Sequence, residues 1–133
     1  MTHTKPSVWV IDDDEDDRVF IQSAFANTEK SVAVLTLTDG DQLLPELANC
    51  EELPRLILMD INMARQNGFE TLALLRKTSA FAHLPVVMMT TSSDNTDRQR
   101  SLALGANQFL VKPACYNQLV TLVKGLAEQW QLT

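Results

Sequence analysis

Five short apolar runs, each ending at polar residues and followed by an amphipathic stretch, restrict what this chain can fold into. They are Val8–Ile11, Val32–Leu35, Leu56–Met59, Pro85–Met89 and Phe109–Val111. Short apolar runs bounded by turn residues read as strands covered on both faces, the habit of a parallel sheet. The stretches between them carry apolar residues at helical spacing. The first shows Val19, Phe20, Ala24 and Phe25, the second Leu43, Leu44 and Leu47, the third Leu72, Leu74 and Leu75. Asp94 to Leu104 reads as a shorter, more polar helix closed by Gly105, and the last helix presents Leu119, Val120, Leu122, Val123 and Leu126. Strand and helix alternating five times predict one doubly wound α/β domain. A chain of 133 residues is about one domain's worth. The expected domain is the whole chain, 1–133, with a core over about 7–130 and no fused output domain beyond the helix that reaches Trp130.

In such a sheet, sites form just beyond the carboxyl ends of the strands. The third run ends on a carboxylate, Asp60, and the first runs straight into Asp12 and Asp13. The fourth ends at Thr90 and the fifth at Lys112-Pro113. Parallel strands bring these ends to one edge, so the five side chains converge. Each alone has a structural explanation: Asp60 a turn cap, Thr90 a strand-end hydroxyl, Lys112 a solvated lysine. Together they have a chemical one. Three close carboxylates cannot all stay ionised without a cation, because like charges raise one another's pKa. Oxygen ligands without Cys or His favour Mg²⁺. A divalent ion beside an ammonium would accommodate a phosphoryl group, and an Asp can serve as nucleophile to form an acyl phosphate.

The charge distribution supports a cation site. Residues 12–17, Asp-Asp-Asp-Glu-Asp-Asp, hold six of the seventeen acids, and without them acids and bases balance at eleven each. The net charge of −6 is therefore one local patch, which attracts cations and repels nucleic acid. Asp14 suits a helix N-cap, and Glu15, Asp16 and Asp17 suit a first turn. Asp12 and Asp13 remain at the strand end. No apolar run approaches the roughly 18 residues of a membrane span, and the first residues do not form a signal peptide. Cys50 and Cys115 make neither a metal motif nor a disulfide framework. The cytosol is the expected compartment.

Ile11-Asp12-Asp13, then Asp60-Ile61-Asn62-Met63 with Gly68 eight positions after the Asp, then Thr90, then Lys112-Pro113 resemble the receiver domain of two-component response regulators. The likeness covers almost the whole chain, in order and spacing. It implies a flavodoxin- and CheY-like (βα)5 fold with a five-stranded parallel sheet of order 2-1-3-4-5. It implies Asp60 as phosphoacceptor, and Mg²⁺ held by Asp13, Asp60 and the backbone carbonyl of Asn62, with Asp12 acting through water. Thr90 would close on the phosphoryl group and Lys112 would pair with it, joined to Pro113 by a cis peptide bond. Phe109 falls at the rotating aromatic, so Thr90 and Phe109 form the implied switch. Asn62 and Ser92 take the positions that influence phosphoryl lifetime.

The implied function is that of a stand-alone response regulator, not an enzyme beyond catalysing its own phosphorylation and dephosphorylation. Its implied donor is a sensor histidine kinase or phosphotransfer protein. Its implied output is a partner, or a second copy of the chain, docking on the face made by the fourth helix, fifth strand and fifth helix. Ala64 stands where the family usually has Pro, Thr91 where it has a small residue, and Cys115 where Phe is common. Phe109 lacks the phenol of the usual Tyr. None of these removes a chemical part. Two other classes fit less well. A phosphatase with an Asp-x-Asp pair would use Asp12 and Asp14, but Asp16 replaces the Thr or Val such enzymes need. A flavin-binding domain needs a phosphate-cradling loop where this chain has six acids. A degenerate receiver acting as a passive scaffold shares the fold and differs in taking no phosphate.

Overall fold

The computed structural model describes residues 6–28, 32–91 and 94–132. Its strands are β1 (Val8–Ile11), β2 (Val34–Leu37), β3 (Leu56–Asp60), β4 (Val86–Thr90) and β5 (Gln108–Val111). Its helices are α1 (Glu15–Ala26), α2 (Leu43–Asn49), α3 (Gly68–Lys77), α4 (Asn95–Ala103) and α5 (Tyr116–Gln129), with a 3-10 turn, Gly40–Gln42, leading into α2. The strands form one parallel sheet in the order 2-1-3-4-5. This is the doubly wound order that the resemblance implies.

Alternation along the strands sorts the core into two layers. Trp9, Ile11, Ile57, Met59, Val86 and Met88 face Leu43 and Leu47 of α2 and Leu72 and Leu75 of α3. Val8, Val10, Leu56, Leu58, Val87 and Met89 face Ile21, Ala24 and Phe25 of α1 and Leu119, Val123 and Leu126 of α5. Every residue of β1, β3 and β4 is buried, as continuous apolar runs require. Met59, Met63, Met88 and Met89 are all core residues, filling the space around the central strands.

Several details differ from the sequence reading, β4 running Val86–Thr90 and β5 Gln108–Val111 among them. β2 begins at Val34, not Val32, because the Val32 amide donates to the Phe25 carbonyl (3.1 Å), and pairing with β1 starts at Val8 opposite Val34. On α1 the buried stripe is Ile21, Ala24 and Phe25, whereas Val19 and Phe20 are 55% and 50% exposed. Leu74 likewise points outward, leaving Leu72 and Leu75 as the buried leucines of α3. A helix of 3.6 residues per turn buries one stripe, and sequence alone left its phase among adjacent apolar residues open.

Local chemistry sets the helix ends. Asp14 caps α1, its side chain accepting from the Asp17 amide (3.1 Å), and Glu15, Asp16 and Asp17 fill the first turn. Asn67 and Glu70 form a reciprocal capping box at the start of α3. Gly105 follows α4 at φ 104°, a left-handed conformation that glycine adopts without strain.

Candidate functional site

The sheet register aligns the strand ends. Ile11 pairs with Met59, so the next residues, Asp12 and Asp60, stand side by side. Asp60 pairs with Met89, with Thr90 one step further; Thr90 pairs with Val111, and Lys112 follows. One carboxylate oxygen from each of Asp12, Asp13 and Asp60 lies within 4.8 Å of the others. Asp12 and Asp60 are buried and Asp13 is exposed, so the cluster opens toward solvent on the Asp13 side. An all-oxygen donor set with one open side fits a hard divalent cation that keeps part of its water shell.

Lys112 closes the other side. Its Nζ donates to Asp12 Oδ2 (2.7 Å), Asp17 Oδ2 (2.7 Å) and Asp60 Oδ2 (3.3 Å). Asp12 is held twice more, its Oδ1 accepting from the Asp14 amide (2.9 Å) and its carbonyl from Arg18 Nη1 (2.8 Å). The Asp60 carboxyl is pushed up to about 6, first by burial, with the Asp12 charge adding and Lys112 opposing. Asp12 is raised as well, by burial first, against the pull of Lys112 and the Asp14 amide. Burial alone would lower Lys112, but its bonds to Asp12 and Asp17 outweigh that and hold it above the ordinary lysine value. The three groups therefore form one hydrogen-bonded acid–base cluster.

The loop after Asp60 is shaped by a residue to which sequence reasoning gave no site role. Asp39, two residues past β2, accepts from the amides of Arg65 and Gln66 (both 2.9 Å) and of Asp41 (3.3 Å). Those bonds fasten the loop to the segment that follows β2, across the end of β1. Gly68 completes it: a Cβ there would lie 2.5 Å from the Asp60 carbonyl oxygen and 2.9 Å from Ile61 Cα. Only a residue without a side chain lets α3 start so close to β3. The spacing of Gly68 from Asp60 thus has a steric cause.

Thr90 is fully buried at the end of β4. Phe109 is half-buried against the layer that includes Phe81 and Leu104. Asn62 is exposed, its amide 3.4 Å from Asp60 Oδ1. Among the described residues every peptide bond is trans, including that between Lys112 and Pro113. The expected cis bond is thus corrected: the two isomers of an X–Pro bond differ by only about 0.5–1 kcal/mol, and Lys112 reaches all three carboxylates from the trans arrangement. Ser92 lies outside the described residues. Asp17 was read only as a first-turn acid. Its reach to Lys112 follows from how α1 packs on the sheet, and the acid run itself does not say which of its members turn inward. Cys50 and Cys115 are free thiols.

A five-stranded parallel sheet of this order, with an acid pair, a third carboxylate, a hydroxyl and a lysine at its strand ends, defines a receiver-type α/β domain. The family model of the response regulator receiver domain matches residues 8–124, and the chain belongs to that family. The chain is 32% identical over 117 residues to the sensor histidine kinase CheAY of Helicobacter pylori, covering 88% of this chain and 14% of that protein. It is similar in structure to the phosphorylated cyanobacterial phytochrome response regulator RcpA, with a TM-score of 0.85 and 32% identity over 93% of this chain and 92% of that one. It is also similar to the Mn²⁺-bound form of response regulator Rcp1, with a TM-score of 0.81 and 27% identity over 94% of each chain. Among the described residues no helix is long and apolar enough to cross a membrane.

Proposed function

We propose that this receiver domain takes a phosphoryl group onto Asp60 and signals through a protein–protein contact that depends on it. The observation that carries the reading is the cluster itself, three carboxylates within 4.8 Å of one another with the Lys112 ammonium bonded to two of them. Asp13, Asp60 and the Asn62 carbonyl would hold Mg²⁺, with Asp12 acting through a water. When bound, Mg²⁺ neutralises the carboxylates and the oxygens of the incoming phosphoryl group. The Asp60 carboxylate oxygen attacks phosphorus as the bond to the donor's imidazole nitrogen breaks, and the imidazole leaves with the bonding electron pair. Lys112 supplies positive charge to the transferred group, and Thr90 stands at the strand end beside it.

The donor in this reading is a sensor histidine kinase or a phosphotransfer protein in the cytoplasm, and the only chemistry catalysed is the domain's own phosphorylation and dephosphorylation. Phosphorylation shifts an equilibrium by as much as the group favours one state. Thr90 and Phe109 lie on the fourth and fifth strands, so α4, β5 and α5 form the responding face, docking a partner or a second copy of the chain. Leu102 and Val111 are each 42% exposed there, apolar residues available to such a contact. The acid run over residues 12–17 argues against nucleic acid as the partner.

Incubation with acetyl phosphate and Mg²⁺ should add one base-labile phosphoryl group to the parent and none to Asp60→Asn, read by intact-mass spectrometry. Phosphate appearing on the Asn variant, or a parent that takes none, would contradict the assignment and leave a passive scaffold as the better reading.

A further inference from the structure

The Lys112 ammonium has three N–H donors and three carboxylate acceptors, and it is not shared equally. Asp12 and Asp17 each hold it at 2.7 Å, while Asp60 stands at 3.3 Å. Both short contacts come from the β1–α1 side, so the ammonium is drawn toward α1 and away from Asp60. Asp12 lies at the strand end with its side chain 2% exposed. Asp17 belongs to the first turn of α1, with its side chain 33% exposed, and among the described residues it is the one ion-pair partner of Lys112 outside the metal-type cluster. A second contact keeps α1 against the segment that carries the lysine. The Tyr116 hydroxyl, four residues after Lys112, meets Ser23 Oγ at 2.8 Å and accepts from Asn27 Nδ2 at 3.0 Å. The Phe20 and Tyr116 rings stand edge to face, 6.2 Å between centroids. The reach from Asp17 to Lys112 is therefore set by packing between α1 and α5. Both side chains line a cavity of about 300 Å³.

We propose that Asp17 is a positioning residue that competes with Asp60, and with any phosphoryl group on Asp60, for the Lys112 ammonium, and so weakens the site's hold on that group. This rests on Asp60 as phosphoacceptor. A phosphoryl group placed on Asp60 calls for the ammonium as its counter-charge. Asp17 answers with an opposing contact at a charge-assisted hydrogen-bond distance and adds a negative charge near the anion. Its removal frees one ammonium proton and lifts one repulsive charge. The role differs from helix capping, because the Asp17 backbone amide donates to Asp14 whatever the side chain at 17.

The test uses the full chain at saturating Mg²⁺, titrated with beryllofluoride as phosphoryl mimic by calorimetry, for the parent, Asp17→Asn, Asp17→Ala and Asp17→Glu. Asp17→Asn and Asp17→Ala should bind the mimic roughly two- to fivefold more tightly, the scale of one partly screened charge contact. Asp17→Glu, which restores the charge on a longer arm, should return toward the parent. The ¹⁵N resonance of the Lys112 ammonium should shift in the first two variants before any mimic is added. Equal or weaker binding by Asp17→Asn, with the parent binding normally, would overturn the competition and leave the phosphoacceptor reading intact. Unfolding of both neutral variants would instead make Asp17 a structural residue and overturn it too. A parent that fails to bind with Mg²⁺ present would overturn both readings.

Discussion

Two buried aspartates stand at the same edge of the sheet, on either side of β1, and their surroundings move them in opposite directions. Asp39 lies two residues past β2 at 5% exposure and Asp60 closes β3 at 8%. For each, burial is the largest influence and works against the charged form. At Asp39, the Arg65, Gln66 and Asp41 amides point at the carboxylate and outweigh burial, holding its pKa below the ordinary value. At Asp60, burial and the Asp12 charge prevail over Lys112 and the Asn62 amide, and the pKa rises to about 6. A buried carboxylate supplied with backbone donors is a fastening. One set among other carboxylates is strained toward neutrality, and a cation among them would relieve it. Both are needed, since Asp39 anchors the loop that leaves Asp60.

The contrast is best broken at Asp39. Asp39→Ala leaves the amides of Arg65 and Gln66 without their acceptor, and should lower stability by about 3 kcal/mol, within the range for losing a hydrogen-bonded charge. Denaturant melts should show it, and a loss under 1 kcal/mol would mean that the loop after Asp60 holds itself. At Asp60 the sign should reverse. Asp60→Asn removes a charge that burial disfavours while Lys112 keeps Asp12 and Asp17, so the metal-free variant should gain about 1–2 kcal/mol at neutral pH. A loss of stability there would show that the Lys112–Asp60 contact outweighs the crowding.

The smallest effect, and the sharpest on sign, lies in pH. For Asp39 the folded value lies below the ordinary 3.8, so its stabilisation is present above that range and disappears as pH falls through the lowered value. For Asp60 the folded value of about 6 exceeds the ordinary 3.8, so the folded state binds the proton more tightly, and metal-free stability should decline as pH rises from about 4 to about 6. Subtracting the stability profile of Asp60→Asn from that of the metal-free parent should isolate a falling limb in this window. The same subtraction with Asp39→Asn should yield a contribution that weakens below pH 4. Slopes of one sign at both sites would erase the distinction.

How much was legible from the chain follows this division. β1 and β3 carry the expected boundaries because a buried parallel strand is an uninterrupted apolar run, and such a run is visible without neighbours. The meeting of Asp12, Asp13, Asp60, Thr90 and Lys112 was legible for the same reason, since parallel strands in sequence must end on one edge. Val19, Phe20 and Leu74 were misplaced because adjacent apolar residues on a helix compete for one buried stripe, and the sheet chooses among them.

Order along the chain and the identity of each strand-end residue were thus enough, by themselves, to predict parallel strands whose polar ends meet on one edge, while the strand order came from the resemblance. Only the tertiary structure decided that Asp17 joins Lys112, that Asp39 grips the loop at Arg65 and Gln66, and that Lys112 reaches its partners across a trans bond to Pro113. The reason is separation along the chain. Lys112 and Asp17 lie 95 residues apart, and Asp39 and Gln66 lie 27 apart. Helical period and strand alternation carry information only across a few neighbouring residues. Contacts at such separations are settled by how α1 and the loop after β3 pack on the finished sheet.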